Sequence, residues 1–386
     1  MMRIINYKNR NGIIVCYYIF DALTYYFLFL RPFLYPLRLI LIIDIISNIK
    51  YSTRSQKISV TIFFCLFMLA LIIGLIKGNY DVYLLTDIFT FSLFLFLSFD
   101  SSNFNRTYED LIDKIKIIQP ICILITIYFI YKTGFSVGDL GHRVIFDSEE
   151  GNLGLLARPL KLGLLISPFA LSNSRKDLSV LASVVLMLII GLMTLTKSVV
   201  LISLFALCIN LFLRELSYKK IIFVVIIGIL FFSITIYYLN INIENQINSL
   251  LFRLDVDDIT SGRSTELERY FEYSTLEELI FGRGLGGSHN YADWSWNFEH
   301  GVPFCHYGFL NLIMKGGFIY LIILYITIVR SMSIMYRRKM IGGIFVLLLY
   351  FIMDFGHTIF STYPLVLFLF ATISYGLSAN YRQKIR

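Results

Sequence analysis

Residues 59–76 read SVTIFFCLFMLALIIGLI, and this uncharged apolar stretch decides the fold class. A helix needs about 20 residues to cross roughly 30 Å of hydrocarbon, so a stretch of this length predicts a transmembrane helix. The stretch at 194–213, TLTKSVVLISLFALCINLFL, is nearly as apolar. Because open backbone groups are not satisfied in lipid, successive long apolar stretches indicate helices rather than sheet.

The composition of the whole chain agrees with a membrane protein. Of its 386 residues, 57% are hydrophobic and 16% are charged, and the mean hydropathy is +0.72, which lies outside the range of soluble domains. The net charge of +8 would suit a nucleic-acid partner only if the basic residues shared one soluble face. They are instead scattered between the apolar stretches, so no nucleic-acid partner is expected.

We predict an all-α polytopic membrane protein with about twelve transmembrane helices. The predicted spans are 13–30, 33–49, 58–76, 82–99, 115–131, 155–172, 178–195, 198–213, 220–239, 306–328, 340–356 and 360–378. Cytoplasmic loops carry an excess of Lys and Arg, and with the N-terminus in the cytoplasm most of the 34 basic residues fall on the inner side. This distribution predicts that both termini are cytoplasmic.

The spans divide the chain into three predicted parts. An N-terminal membrane bundle of about nine spans covers 1–239 and includes an outer loop at 132–154, a large extracytoplasmic loop with short helices covers 240–305, and a bundle of about three spans covers 306–386. Within the large loop, SGRSTELERYFEYSTLEELIFG at 261–282 predicts one short amphipathic helix. Ser261 or Ser264 could cap that helix.

Two classes of side chain inside the apolar stretches bear on function. The five cysteines show no CxxC spacing and four lie in apolar stretches, so we expect neither a disulfide framework nor a metal site. Ionisable residues in spans are functional candidates by default, and four carboxylates qualify: Asp21, Asp44, Asp87 and Asp354. Asp44 could pair with Arg38 or line an ion path, and Asp354 could pair with His357 or belong to a proton relay.

Basic side chains and histidines gather on the predicted outer side of the membrane. They are Arg143, Lys197, Arg263, Arg269, Arg283, His289, His300 and His306. Guanidinium groups make bidentate, charge-assisted bonds to phosphate oxygens, and histidine can act as a general base near neutral pH. The cluster therefore predicts a site for an anionic, lipid-linked substrate at the outer leaflet.

Four sequence segments resemble motifs of the bacterial O-antigen polymerase and ligase superfamily. They are GHRVIFDSEEGNLGLLARPLKLGLLI at 141–166, LMTLTKSVVLIS at 192–203, SGRSTELERYFEYSTLEELIFGRGLGG at 261–287 and FCHYGFLNLIMKGGFIYLIIL at 304–324. The third segment is similar to the family's SGR followed by FGxGxG, and the fourth to its histidine followed by a glycine pair. Two positions depart from the family pattern, since Lys197 takes the place of an arginine and Tyr307 that of an asparagine.

The resemblance implies a glycosyltransferase of the bacterial cytoplasmic membrane that polymerises undecaprenyl-pyrophosphate-linked repeat units without a cofactor or a metal ion. It implies catalytic roles for Arg263 and His306, although His289 and His300 stay open as alternatives to the latter. Contacts with the substrate pyrophosphate are implied for four further side chains, Arg143, Lys197, Arg269 and Arg283. The implied partners are the lipid-linked donor and acceptor, membrane lipid and a chain-length regulator protein.

Two other functions stay open from the sequence. An O-antigen ligase, which transfers polymer to the lipid A core, shares the same motifs. A lipid-linked oligosaccharide flippase also has about twelve spans, but transporters tend to show two related halves and short loops. No internal symmetry is visible here, and the long polar loop at 240–305 lies in one half only.

Overall fold

The computed structural model describes residues 7–24, 29, 31–80, 82–99, 107–132, 158–172, 178–193, 197–212, 263–289, 302, 304–305, 307–356 and 363–382. Within these ranges the chain is α-helical, and extended segments meet at one isolated bridge, between His289 and Val302. The prediction of an all-α fold is therefore confirmed for the described residues.

The helices are numbered here in chain order. They are α1 (Tyr7–Leu23), α2 (Arg31–Asn48), α3 (Arg54–Ile76), α4 (Val82–Phe91), α5 (Thr107–Lys132), α6 (Arg158–Ser172), α7 (Leu178–Met193), α8 (Lys197–Phe212), α9 (Arg263–Tyr273), α10 (Leu276–Phe281), α11 (Gly308–Arg337), α12 (Ile341–Gly356) and α13 (Tyr363–Arg382). Two short 3-10 helices, Ile49–Tyr51 and Ser92–Ser98, follow α2 and α4.

Most of these helices follow the predicted spans closely, with four larger differences. Helix α1 begins six residues before the predicted start at 13 and ends seven residues before the predicted end at 30, and α5 begins eight residues before the predicted start at 115. Helix α11 runs nine residues past the predicted end at 328, because no glycine or proline interrupts the chain between Phe318 and Arg337. The span predicted at 82–99 is α4 continued by a 3-10 helix. The span predicted at 220–239 lies outside the described residues.

The prediction of a single amphipathic helix at 261–282 is wrong, because the chain forms two helices there, α9 and α10. Thr275 has extended backbone angles and starts α10, and its hydroxyl accepts a hydrogen bond from the amide of Glu278 at 3.2 Å. A threonine in this conformation caps a new helix rather than continuing the previous one. Ser264 lies inside α9, and Ser261 lies outside the described residues.

Two of the described helices, α3 and α11, are long and apolar enough to cross a membrane. Four shorter apolar helical segments accompany them: Tyr83–Ser98, Ser179–Gly191, Ile341–Asp354 and Tyr363–Ser378. Two such helices do not support the predicted number of twelve. Helix α3 begins at a capping box, in which Thr53 and Gln56 bond each other's backbone amides.

The chain forms two compact units. Unit 1 comprises Met1–Arg10, Arg38–Tyr108 and Thr260–Arg386, and unit 2 comprises Asn11–Leu37 and Glu109–Ile259. The predicted division of the chain at residues 239 and 305 stays a prediction, since 213–262 lie outside the described residues.

In unit 1, α11 packs against α3, α12 and α13 around an aromatic core. The Phe63 ring meets those of Tyr320 and Phe370 edge to face, with centroids 5.4 and 5.8 Å apart. Among the carboxylates of the predicted spans, Asp44 forms a buried ion pair with Arg10 at 3.5 Å. The alternatives suggested for Asp44 by sequence, a pair with Arg38 or an ion path, did not include this partner.

In unit 2, α7 packs against both α6 and α8. The contact between α5 and α7 is made by neutral polar groups, because the Ser183 hydroxyl donates to Gln119 Oε1 at 2.9 Å. Gly163 on α6 lies so close that an added Cβ would collide with the Gln119 side chain. The Tyr18 hydroxyl on α1 accepts from the Leu162 amide at 3.3 Å.

Candidate functional site

A glycine-rich segment in unit 1, residues 282–289, connects α10 to the buried His289 and is called the glycine loop below. Backbone hydrogen bonds hold it on two sides. The Arg283 amide donates to Met314 O in α11 at 2.6 Å, and the Leu285 amide donates to Ala70 O in α3 at 3.0 Å. The loop therefore lies against the C-terminal turns of α3 and the first turns of α11.

Two glycines make this close packing possible. Gly284 has φ +83°, and an added Cβ would collide with the backbone of Gly74 in α3. Gly317 has φ +72°, which kinks α11, and a Cβ there would collide with the carbonyl of Ile280. Only glycine adopts such angles without strain, so Gly284 of the GxGxG motif and Gly317 of the glycine pair are explained by contact between backbones.

The amides of the glycine loop are largely occupied by protein acceptors. Besides those of Arg283 and Leu285, the amides of Gly282, Gly286 and Gly287 each donate to an oxygen of the protein. Successive amides can form a nest for phosphate only when they point at the ligand. An anion near this loop would therefore be bound by side chains.

An ion pair between a buried ammonium group and a partly exposed carboxylate ties the loop to two helices. The ammonium group of Lys315, fully buried in α11, lies 2.7 Å from Asp87 Oδ2 in α4 and also donates to the carbonyl of Gly287. The same carboxylate oxygen accepts from the Gly286 amide at 2.7 Å. Removing one partner of such a pair leaves an uncompensated buried charge.

A second charged group lies where α3 ends. Glu278 accepts from Lys77 at 3.0 Å and from Arg283 Nη2 at 3.1 Å, while Arg283 Nη1 donates to Ser288 O at 2.9 Å. Burial by itself would raise the pKa of Glu278, but the Lys77 hydrogen bond and the charge of Arg283 lower it below its ordinary value. Two cations thus share one carboxylate, and the three side chains carry one net positive charge.

A buried trio of different chemistry lies at the far end of the loop: Glu266, His289 and Cys305. His289 Nε2 is 3.4 Å from Glu266 Oε1 and 3.0 Å from Phe304 O. Burial lowers the pKa of His289, against the opposing effects of Phe304 and Glu266, so the imidazole is neutral at pH 7. Burial, and then the charge of Glu266, raises the pKa of the Cys305 thiol. A carboxylate, an imidazole and a thiol therefore share one enclosed place.

The structure describes the side chains of three residues predicted for the site. Arg283 and His289 both belong to the glycine loop, with the contacts given above. Arg269 is half-buried in α9. Among the three candidate histidines, His289 is thus found buried beside a carboxylate.

The remaining predicted residues are less fully described. Arg263 is the first residue of α9 and Lys197 is the first residue of α8. Arg143, His300 and His306 lie outside the described residues. The proposed roles of these five residues stay predictions.

Sequence reasoning missed how four other residues combine. Lys315 and Asp87 were each visible as a charge in or near an apolar span, and opposite charges in two spans are a signal for a pair. Glu266 and Cys305 gave no such signal, because their partner His289 is distant from both in the chain. A sequence reveals a metal site by the spacing of ligands within one segment, and this trio has no such spacing.

Comparison with protein-family models, with curated proteins and with solved structures finds no match to this chain.

Proposed function

We propose that the chain is a polytopic membrane glycosyltransferase that joins undecaprenyl-pyrophosphate-linked repeat units into O-antigen or capsular polysaccharide. The observation that carries the proposal is the position of the glycine loop at the end of a candidate membrane span. The loop bonds to Ala70 in the last turns of α3, and Lys77, which directly follows α3, joins Arg283 on the carboxylate of Glu278. A cationic group at the end of a span is where a lipid-linked pyrophosphate would lie.

The surface of α3 supports residence in lipid. Only 33% of its most apolar window is buried inside the protein. Large apolar side chains are exposed along it, including Phe64 at 50%, Ile72 at 49% and Ile76 at 80%. A continuous exposed apolar surface is unfavourable in water but not in hydrocarbon, which favours lipid as the solvent of this helix.

The charges at the two ends of α3 favour an outward-facing site. Lys50, Arg54 and Lys57 lie at or before its first turn, which the positive-inside rule places in the cytoplasm. The C-terminal end of α3 would then face outward, with the glycine loop beside it. We propose in addition that the chain has about twelve spans and that both of its termini lie in the cytoplasm of a bacterial cell.

The proposed reaction is a direct displacement. The hydroxyl oxygen of the acceptor sugar attacks the anomeric carbon of the donor, and the bond from that carbon to the pyrophosphate oxygen breaks. His306 takes the hydroxyl proton, and undecaprenyl pyrophosphate leaves with the bonding electrons. Arg263, assisted by Arg143 and Lys197, stabilises the negative charge that develops on the leaving group. Arg283 would add to the positive potential from the end of α3.

The test is a polymer assay in cells that lack the native gene and carry one variant each. Arg263→Ala and His306→Ala should abolish the surface polymer ladder, since a general base alone contributes about 10²–10⁴ in rate. Arg263→Lys should restore part of it, because the charge is kept and the bidentate geometry is lost. Arg337→Ala, at the end of α11, serves as the matched control and should leave the ladder unchanged.

The amount of each variant in the membrane is measured alongside the polymer. Single repeat units attached to the lipid core would indicate a polymerase, whereas free polymer no longer attached to the core would indicate a ligase. Unchanged length and amount of polymer in both alanine variants would overturn the proposed catalytic residues.

A further inference from the structure

We infer that Glu266, His289 and Cys305 form a binding site for a zinc ion. The three residues come from separate segments: α9, the end of the glycine loop, and the chain just before α11. Their ligand atoms lie within 4.8 Å of one another, and all three side chains are buried. Such a convergence of a carboxylate, an imidazole and a thiol supplies the three donor types that zinc uses in proteins.

The distances in the trio suit a tetrahedral ion. Zinc bonds to nitrogen and oxygen of about 2.0–2.1 Å place two ligand atoms about 3.3–3.4 Å apart. His289 Nε2 and Glu266 Oε1 are 3.4 Å apart, a separation longer than the usual N–H···O hydrogen bond of about 2.9–3.0 Å. The Cys305 sulfur lies no more than 4.8 Å from the ligand atoms of Glu266 and His289. It would need to approach them by at most about 1.2 Å to reach the separation expected for a zinc-bound thiolate.

The donor set selects the metal. Magnesium and calcium prefer oxygen ligands and are disfavoured by the Cys305 sulfur, whereas copper(I) prefers thiolate and thioether and is disfavoured by the Glu266 carboxylate. Zinc accepts all three donors. The fourth position is left to water or to the carbonyl oxygen of Phe304, which already lies 3.0 Å from His289 Nε2.

The charges of the site balance when zinc is bound. Binding releases the thiol proton of Cys305 to solvent, so that a doubly charged ion faces a thiolate, a carboxylate and a neutral imidazole. The nearby cations Lys315 and Arg283 each bind another carboxylate, those of Asp87 and Glu278. The buried metal centre would therefore be close to neutral, which keeps the cost of burying an ion low.

The ion would act as a structural tie. It would connect α9 to the end of the glycine loop and to the segment that leads into α11, in addition to the backbone bridge that already pairs His289 with Val302. This role requires no step of glycosyl transfer. The zinc site and the proposed function therefore stand or fall separately.

The experiment measures metal in the full-length chain, purified in detergent through a tag without histidine. After incubation with zinc and removal of the excess, elemental analysis should find about one zinc ion per chain. Replacement by cobalt should produce an absorption band of thiolate-to-cobalt charge transfer. Cys305→Ser and His289→Gln should lose at least tenfold in zinc affinity, since loss of an outer-shell partner of a ligand alone costs about 10–100-fold.

Two further variants separate loss of the metal from loss of the fold. Cys122→Ser removes a buried thiol elsewhere and should keep both the zinc and the cobalt band. Cys305→His keeps a ligand at the site and should retain zinc while losing the thiolate band. Absence of stoichiometric zinc and of the cobalt band in the unaltered chain would overturn the inference, as would a Cys305→Ser variant that binds zinc with unchanged affinity.

Discussion

The glycine loop of unit 1 and the contact of α5, α6 and α7 in unit 2 both depend on a glycine that allows close approach, but they differ in what surrounds it. Around the loop, Gly284 meets the backbone of α3 and a buried ion pair joins Lys315 to Asp87. In unit 2, Gly163 meets the side chain of Gln119, whose partner is a neutral hydroxyl.

The difference concerns how far each contact can adjust. A neutral side chain such as Gln119 can change its rotamer, and if it is left without a partner the cost is only about 1–3 kcal/mol. Neither a backbone in a left-handed conformation nor a buried charge has that freedom. The glycine loop should therefore be the more sensitive region, and each prediction below tests one part of this comparison.

The largest effect is expected for the buried charge. Lys315→Met leaves the Asp87 carboxylate without its ammonium partner and should lower the free energy of unfolding by about 3–5 kcal/mol. Ser183→Ala, the matched change in unit 2, removes a neutral hydrogen bond and should lower it by about 1–2 kcal/mol. Denaturant unfolding in mixed micelles, followed by circular dichroism, would measure both losses of stability.

The double variant Lys315→Met with Asp87→Asn is the control for the charge. Since it removes both charges, it should recover part of the stability lost in the single variant. If Lys315→Met costs no more than Ser183→Ala, the contrast between the charged and the neutral region is wrong.

An intermediate effect is expected for the glycines. Gly284→Ala combines a φ of +83° with a backbone collision and should lower the free energy of unfolding by about 2–5 kcal/mol. Gly163→Ala should cost less than about 2 kcal/mol, because Gln119 can move aside. Gly78→Ala, with φ +77° and only an ordinary contact of 4.0 Å to the Tyr80 ring, isolates the backbone contribution of about 1–2 kcal/mol. Equal losses at Gly284 and Gly78 would show that contact with α3 does not matter.

The smallest effect is expected for Glu278 and depends on pH. Its pKa in the folded protein is lowered below 4.5, so its contribution to stability is present above pH 4.5 and is lost as the pH falls through the lowered pKa. Glu278→Gln should remove this dependence and cost about 0.2–1 kcal/mol at pH 7, because the group is partly exposed. Thermal unfolding of both proteins between pH 3 and pH 7 measures this pH dependence. If stability changes with pH in the same way in both proteins, Lys77 and Arg283 have no stabilising role at this carboxylate.

The helices of the fold were the most predictable feature. The apolar stretch at 59–76 ends where α3 ends, and the apolar stretches predicted at 340–356 and 360–378 correspond to α12 and α13. Hydrophobic length is a property of consecutive residues, so it can be read without knowledge of the fold. The division of 261–282 into two helices was missed, because Thr275 has a capping role that depends on its backbone conformation.

The candidate site was predicted only in part. Arg283 was recognised as a charged residue of a glycine-rich motif, but its contacts with Glu278 and Ser288 were not. The glycines of the motif suggested a family, whereas the structure explains Gly282 and Gly284 by packing against α11 and α3. A motif shows which residues are small or charged, and the partners of those residues come from other parts of the chain.

The sequence by itself determined that this chain is helical and strongly apolar, because both properties follow from residues within one or two helical turns of each other. Only the tertiary structure paired Lys315 with Asp87, and only it brought Glu266, His289 and Cys305 together. The physical reason is that an ion pair or a metal site requires distances of a few ångströms between atoms. Such distances are fixed by how distant segments pack, and a sequence pattern of neighbouring residues does not contain them.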